Sequence, residues 1–223
     1  ETVTINTGSY STATAQLVNA INVGTANDLV SAGSNGLTTT ATTGIITAKT
    51  INASAMTGAL VMNVAAASGV TTITGGSAAD TLRGDAASTI SGGAGNDTLV
   101  GGTGNDTLSG DAGNDNITTG TGTDAVSGGE GNDTIVAAGN VTAGDTFDGG
   151  DGTDTLSVEN ASLTALGTMS LSEANAFNAG LVSIEALLLS NALDQGSFDL
   201  DRLDGLTTFT LHDFTCNETL ACL

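Results

Sequence analysis

From Gly92 onward, large aliphatic residues recur singly at every ninth position: Leu99, Leu108, Ile117, Val126 and Ile135. Gly, Asn, Asp, Thr and Ser fill most of the space between them. This spacing is not the face of a helix, which repeats at about 3.6 residues, nor the sustained alternation of a long half-buried strand. It predicts one short strand with a single side chain turned inward, then a polar turn, then the same again. The units read GGAGNDTLV, GGTGNDTLS, GDAGNDNIT, TGTGTDAVS and GGEGNDTIV without a gap. The first six residues of each are expected to form the turn, because Gly permits positive φ and Asn and Asp favour turns. The last three, centred on the aliphatic, are expected to form the strand.

An acid keeps the same period at Asp97, Asp106, Asp115, Asp124 and Asp133, each two residues after a glycine. Weaker copies flank the block: GGSAADTLR from Gly75 and GGDGTDTLS from Gly149, while Asp145 and Phe147 stay in phase with Asp154 and Leu156. The phase breaks around Ala86–Ser88 and again between Ile135 and Asp145.

The unit G-G-x-G-x-D-x-U-x, with U a large aliphatic, resembles the calcium-binding nonapeptide of RTX (repeats-in-toxin) proteins. The resemblance covers residues 75–157. It implies an all-β fold, a right-handed parallel β-roll or β-helix solenoid, with two nonapeptides per coil and several Ca²⁺ ions held between coils. On that geometry Leu99, Ile117 and Ile135 stack in one sheet, and Leu108 and Val126 in the facing one. Asp97, Asp115 and Asp133 form one column, Asp106 and Asp124 the other. The ligands implied are the side chains of Asp80, Asp97, Asp106, Asp115, Asp124, Asp133, Asp145 and Asp154. Backbone carbonyls near motif positions one and three complete them: Gly92 and Ala94, Gly101 and Thr103, Gly110 and Ala112, Gly128 and Glu130. Thr119 and Asn140 replace the first glycine and Ser88 replaces the acid, which counts against sites in those units.

The charge balance bears on the same point. The 223 residues carry 24 acids against 3 bases, a formal net charge of −21. Carboxylates one coil apart, about 4.8 Å, repel by ~1 kcal/mol in water and several-fold more at an effective dielectric near 20. No Lys or Arg lies in the five contiguous units, residues 92–136, to relieve them. A hard cation with oxygen ligands suits such columns, Ca²⁺ better than Mg²⁺, which demands a tight octahedron. Zn²⁺ is poorly served where no His or Cys is present.

Lys49, Arg83 and Arg202 are too few for a nucleic-acid binder. No apolar run is long enough for a transmembrane helix. With one His and neither H-E-x-x-H nor G-x-S-x-G, catalysis by this chain is not expected.

The chain divides by composition into a Thr/Ala-rich solenoid segment (1–74), the repeat block (75–157) and a β-rich capping or secretion segment (158–223). In the first, strands are expected at Thr2–Ile5, Gly44–Ala48, Leu60–Val64 and Val70–Thr74. Asn35-Gly36 reads as a turn, and Ser11–Val23 as a helix capped by Ser11. Residues 50–76 are expected to continue the solenoid with Met56 and Met62 as core filler. In the last, Ser172–Phe177 reads as a short helix, with strands at Ile184–Leu189 and Thr207–Leu211. Cys216 and Cys222 are compatible with either a local disulfide or free thiols, and His212 with a surface position. Glu218 before an apolar tail resembles a type I export signal.

The C-terminal pattern is similar to segments that follow RTX blocks in bacterial surface-layer proteins and adhesins. That resemblance implies a secreted structural protein of the cell surface that self-associates into a lattice or filament when extracellular Ca²⁺ folds it. Glu130, Asp148 and Asp151 are candidates for calcium bridging to anionic surface polysaccharide. The alternative is the calcium-dependent secretion and folding module of an extracellular enzyme or toxin whose catalytic part lies elsewhere.

Overall fold

A computed structural model describes residues 2–6, 16–17, 28–33, 37–38, 50–63, 71–139, 141–159, 179–190 and 208–212. Short strands dominate these residues. Before the repeats they are β1 (Thr2–Asn6), β2 (Gln16–Leu17), β3 (Asp28–Gly33), β4 (Leu37–Thr38), β5 (Thr50–Met56), β6 (Leu60–Asn63) and β7 (Thr71–Thr74). The repeat block adds β8 (Thr81–Arg83), β9 (Ser88–Ala94), β10 (Thr98–Thr103), β11 (Thr107–Ala112), β12 (Asn116–Thr121), β13 (Ala125–Glu130), β14 (Thr134–Ala137), β15 (Thr146–Asp151) and β16 (Thr155–Glu159). After it come β17 (Leu181–Val182), β18 (Ala186–Ser190) and β19 (Thr208–His212).

Successive strands go to opposite sheets. Odd-numbered strands from β1 to β17 build one sheet, and even-numbered strands from β2 to β18, closed by β19, build the other. From β1 to β16 each strand pairs in parallel with the one two positions on, as two units per coil require, and β19 pairs with β18. The fold is therefore the all-β parallel roll expected. Leu99, Ile117 and Ile135 are in register in the even sheet, and Leu108 and Val126 in the odd sheet.

The core is a continuous stack of mostly aliphatic side chains contributed by both sheets, from Ile51 through Leu82, Leu99 and Ile135 to Leu156 and Leu187. Met56 and Met62 are buried in it. The apolar file thus continues on both sides of the nonapeptides.

Strand boundaries differ from those the sequence predicts. Strands β10 to β13 each cover six residues, motif positions seven to three of the next unit, and only positions four to six turn. The first two glycines therefore belong to the ladder. Along such a strand burial runs exposed, buried, half-buried, buried, half-buried, exposed. Position one points inward beside the aliphatic of position eight. At position two the glycines Gly93, Gly102, Gly120 and Gly129 take positive φ, which lets the strand bend into its turn.

The helix expected over Ser11–Val23 is corrected where the structure describes it. Gln16–Leu17 is a strand paired with Leu37–Thr38. Leu17, Val18 and Ile21 have helical spacing, but parallel pairing to a distant segment overrides it. Strands at Thr2–Asn6, Leu60–Asn63, Thr71–Thr74, Ala186–Ser190 and Thr208–His212 agree with expectation to within a residue or two. Gly44–Ala48, Asn35-Gly36, Ser172–Phe177, both cysteines, Glu218 and the His212 side chain lie outside the described residues.

Candidate metal centre

The roll has two edges where the chain passes between sheets. The turns that follow odd strands carry Asp80, Asp97, Asp115, Asp133 and Asp154, and those that follow even strands carry Ser88, Asp106, Asp124 and Asp145. We call them the Asp97 edge and the Asp106 edge. All eight motif acids are buried, none more than 4 % exposed. The aspartate at position six is thus a second inward side chain per unit, where the sequence pattern suggests only the aliphatic.

Each carboxylate is held by the coil before it. The backbone N–H of Asp97 donates to Asp115 Oδ1 at 2.7 Å, that of Asp115 to Asp133 Oδ1 at 2.8 Å, and that of Asp133 to Asp154 Oδ1 at 2.7 Å. On the other edge Ser88, Asp106 and Asp124 donate in the same way to Asp106, Asp124 and Asp145. One oxygen per carboxylate is thereby used. The second has no hydrogen-bond partner in Asp97, Asp106, Asp115, Asp133 and Asp154, although it is buried. Such an orphan acceptor costs roughly 1–3 kcal/mol, more if ionised.

The orphan Oδ2 atoms face a gap left by the first glycine of the same unit. A Cβ built on Gly101 would fall 2.5 Å from Asp106 Oδ2 and 2.5 Å from the Thr119 carbonyl oxygen of the next coil. Gly92, Gly110, Gly128 and Gly149 repeat this with Asp97, Asp115, Asp133 and Asp154 and the carbonyls of Gly110, Gly128, Gly149 and Ser183. At every such step a carboxylate oxygen and a backbone oxygen converge on one small volume.

Electrostatics follow the geometry. Burial, chiefly, with the charges of Asp80, Asp115 and Asp111 adding and the hydrogen bond from Asp80 opposing, pushes the Asp97 carboxyl up to about 7. Asp106 is pushed up to about 6 by burial with Asp124 adding, and Asp133 to about 6 by burial with Asp115 and Asp154 adding. Asp80, Asp115, Asp124 and Asp154 are raised for the same leading reason. Without a cation, these sites favour protons.

The donor set is hard oxygen throughout: one buried carboxylate oxygen beside backbone carbonyls. Among the described residues no three Asp, Glu, His or Cys side chains gather at one point. An ion here must rely on main-chain oxygens, which suits Ca²⁺ and not Zn²⁺. Of the position-three carbonyls, Ala112 and Glu130 already accept from the N–H of Gly95 and Gly113. A carbonyl has a second lone pair, so this does not exhaust them. The Glu130 and Asp151 side chains are exposed, in register on β13 and β15, and Asp148 is half-buried.

Three features are not evident from the sequence pattern. Asn114 N–H donates to Asn96 Oδ1, Asn132 N–H to Asn114 Oδ1 and Thr153 N–H to Asn132 Oδ1, a ladder running opposite to the aspartate bonds. The spacing of these asparagines at 18 residues is its signal. Glu185 continues the Asp97 column, its Oε2 accepting from Asp154 N–H at 2.7 Å. Gly180, Glu185 and Leu187 keep the motif offsets, hidden by 31 residues between the acids and by Glu in place of Asp. The third is register: Ala137, not Asn140, follows Thr119 in the first-position column, because Thr118 pairs with Val136 and Ala137 with Val158.

The family model for the RTX calcium-binding nonapeptide repeat (4 copies) matches residues 66–88, 74–108, 84–117, 91–126, 100–135 and 143–159. No curated protein and no solved structure matches the chain. The matched repeats coincide with the coils whose turns carry the orphaned carboxylates, and the repeats bind calcium. The chain thus carries RTX calcium-binding nonapeptide repeats, wound into a parallel β-roll.

Proposed function

We propose that the chain is a structural module of a secreted bacterial surface protein, of the surface-layer or adhesin kind, that folds on meeting extracellular Ca²⁺ and then self-associates. The observation that carries this reading is the alternation of the described strands between two sheets from β1 to β18, with β19 added beside β18. A ladder that continues beyond the calcium repeats on both sides is built as a rod. Among the described residues no helix is long and apolar enough to cross a membrane.

In this reading the ions are held by Asp side chains of the repeats and by position-one and position-three carbonyls, including those of Gly92, Ala94, Gly101, Thr103, Gly110, Ala112, Gly128 and Glu130. Calcium supplies positive charge between acids that would otherwise repel and a partner for each orphaned oxygen. Extracellular modules bind with dissociation constants of about 10⁻⁴–10⁻³ M. At tenfold excess each ion then adds ~1.4 kcal/mol to the folded state. Several ions together rival the whole stability of a domain, so folding becomes a calcium switch. The exposed acids Glu130 and Asp151, with Asp148, are the groups through which calcium would bridge to a second copy or to anionic polysaccharide.

Electron microscopy of purified protein with and without millimolar Ca²⁺ tests the assembly. Sheets or filaments that form with calcium and dissolve in EGTA are expected. Dispersed monomers at every calcium concentration would overturn the proposal in favour of an export and folding module.

A further inference from the structure

The two edges of the roll are not equivalent. On the Asp97 edge the first-position residue is glycine at Gly75, Gly92, Gly110, Gly128 and Gly149, and Asp97, Asp115, Asp133 and Asp154 each carry a buried Oδ2 without a partner. Among the motif aspartates of this edge Asp80 differs: its Oδ2 accepts from Gly76 N–H at 2.7 Å.

The Asp106 edge departs at nearly every coil. Beside Gly84 the gap is filled by Ser88 Oγ, which donates to the Ala86 carbonyl. Gly101 with Asp106 is intact, and its Oδ2 is orphaned. In the next coil Thr119 occupies the column, buried, with a Cβ where the units of the other edge have glycine. One coil further Ala137 stands there, and Asp145 Oδ2 accepts from Thr142 N–H at 2.7 Å. Val158 follows in register.

Coil length gives an independent observation. Asp80 and Asp97 are 17 residues apart, and Asp124 and Asp145 are 21 apart. Both irregularities fall on the Asp106 edge, within Gly84–Ser88 and within residues 138–145. The step from β16, which ends at Glu159, to β17, which begins at Leu181, is likewise one from the even to the odd sheet. On the Asp97 edge the spans from Gly75, Gly92, Gly110, Gly128, Gly149 and Gly180 to their acids are of one length. A turn that must share an ion with its neighbours cannot gain or lose residues; a turn closed by hydrogen bonds can.

We infer that calcium loads the roll asymmetrically, in a row of sites at Asp97, Asp115, Asp133 and Asp154 on one edge, against a single site at Asp106 on the other. This inference rests on the calcium reading of the repeats and says where the ions go. The Asp145 turn is closed by the protein's own hydrogen bonds, and at Asp124 the Thr119 side chain stands where the other edge has glycine. The Asp97 edge is the one stiffened by metal, and the Asp106 edge is the one that tolerates insertions.

Calcium titrations of the full chain, followed by circular dichroism and by counting bound ions in native mass spectrometry, test this with three variants. Asp133→Asn keeps the Oδ1 acceptor for Asp115 N–H, so the coil retains its bond. It should raise the calcium midpoint about tenfold and remove at least one ion. Asp124→Asn should leave both the midpoint and the ion count unchanged. Thr119→Gly opens the gap beside Asp124 and should add one ion. Equal midpoint shifts for Asp133→Asn and Asp124→Asn, or no added ion in Thr119→Gly, would overturn the asymmetry while leaving calcium binding intact. A parent chain that binds no calcium would overturn both.

Discussion

Asp97 and Asp115 occupy equivalent places in adjacent coils, and the backbone N–H of Asp97 donates to Asp115 Oδ1 at 2.7 Å while Oδ2 of both remains buried and unpartnered. One oxygen of each carboxylate ties the coils together, and the other is left for something the polypeptide does not provide. That division makes the roll depend on its ionic surroundings. In metal-free buffer at pH 8 the orphaned oxygens are charged and the columns repel, so the chain should lose its β signal in excess EGTA and regain it on adding Ca²⁺. Circular dichroism that is the same in EGTA and in calcium would contradict this.

Acid should substitute for calcium. Asp97 is raised to about 7 and Asp106 and Asp133 to about 6, from an ordinary 3.8. Between those values the folded chain binds protons that the unfolded chain does not. Folding of the metal-free chain therefore gains stability as pH falls through 7 and 6, reaches the full gain below about pH 4, and loses it as pH rises again. The β signal in EGTA should be greater at pH 5 than at pH 8, and the calcium midpoint should be higher at pH 6 because protons compete for the same oxygens. A metal-free signal that declines from pH 8 to pH 5 would count against the buried carboxyls as its cause.

Gly110 separates space from backbone freedom. It is not among the positive-φ glycines, yet a Cβ there would meet Asp115 Oδ2 and, at 2.5 Å, the Gly128 carbonyl oxygen. Gly110→Ala must displace the carboxylate or push adjacent coils away from each other, at a cost of about 1–3 kcal/mol. The expected result is a lower melting temperature in calcium and a raised calcium midpoint. A variant that melts and titrates as the parent would show that the gap is not needed.

The same glycine shows what the sequence can and cannot reveal. The ninefold spacing of Asp97 to Asp133 and of Leu99 to Ile135 makes the parallel roll and its two acid columns legible, because a solenoid repeats its sequence with its structure. The placing of Gly110 is not legible: glycine signals a turn, and nothing local distinguishes a turn glycine from one that keeps a strand's inner face clear. Glu185 is hidden because its partner Asp154 lies far away along the chain, and the ladder joins them only through space. Gln16–Leu17 reads as helix from its spacing since its partner, Leu37–Thr38, lies outside any window in which periodicity can be counted.

The asparagine ladder should act on stability and not on calcium. Asn114 Oδ1 accepts from Asn132 N–H at 2.8 Å on the exposed surface of the turn. Asn114→Ala removes that acceptor and leaves a donor that water reaches, so the cost should be about 0.5–1.5 kcal/mol. Thermal unfolding in saturating calcium should register this loss, and the number of ions bound should not change. Loss of an ion from Asn114→Ala would place the asparagines in the metal site itself.

Asp111 couples the outer face of the roll to its metal edge. It stands at motif position two, in register with Gly93 and Gly129, and adopts a φ of 73° without being glycine. Its carboxylate accepts from the hydroxyl of Ser91 on the neighbouring strand β9 and from that of Ser109 two residues earlier on its own strand. Its charge helps to raise both Asp97 and Asp115. Asp111→Gly relieves ~1–2 kcal/mol of left-handed strain but gives up two hydrogen bonds of ~0.5–1.5 kcal/mol each, so stability should barely move. The electrostatic effect does not cancel: with one negative charge gone, the Asp97 carboxyl should titrate at lower pH and calcium should be drawn in less strongly. Carboxyl-carbon NMR of the metal-free chain should follow the first effect, and a calcium titration the second. An Asp97 titration unchanged by Asp111→Gly would mean that the outer carboxylate is screened from the metal edge by water, and Asp111 would then be only a clasp between β9 and β11.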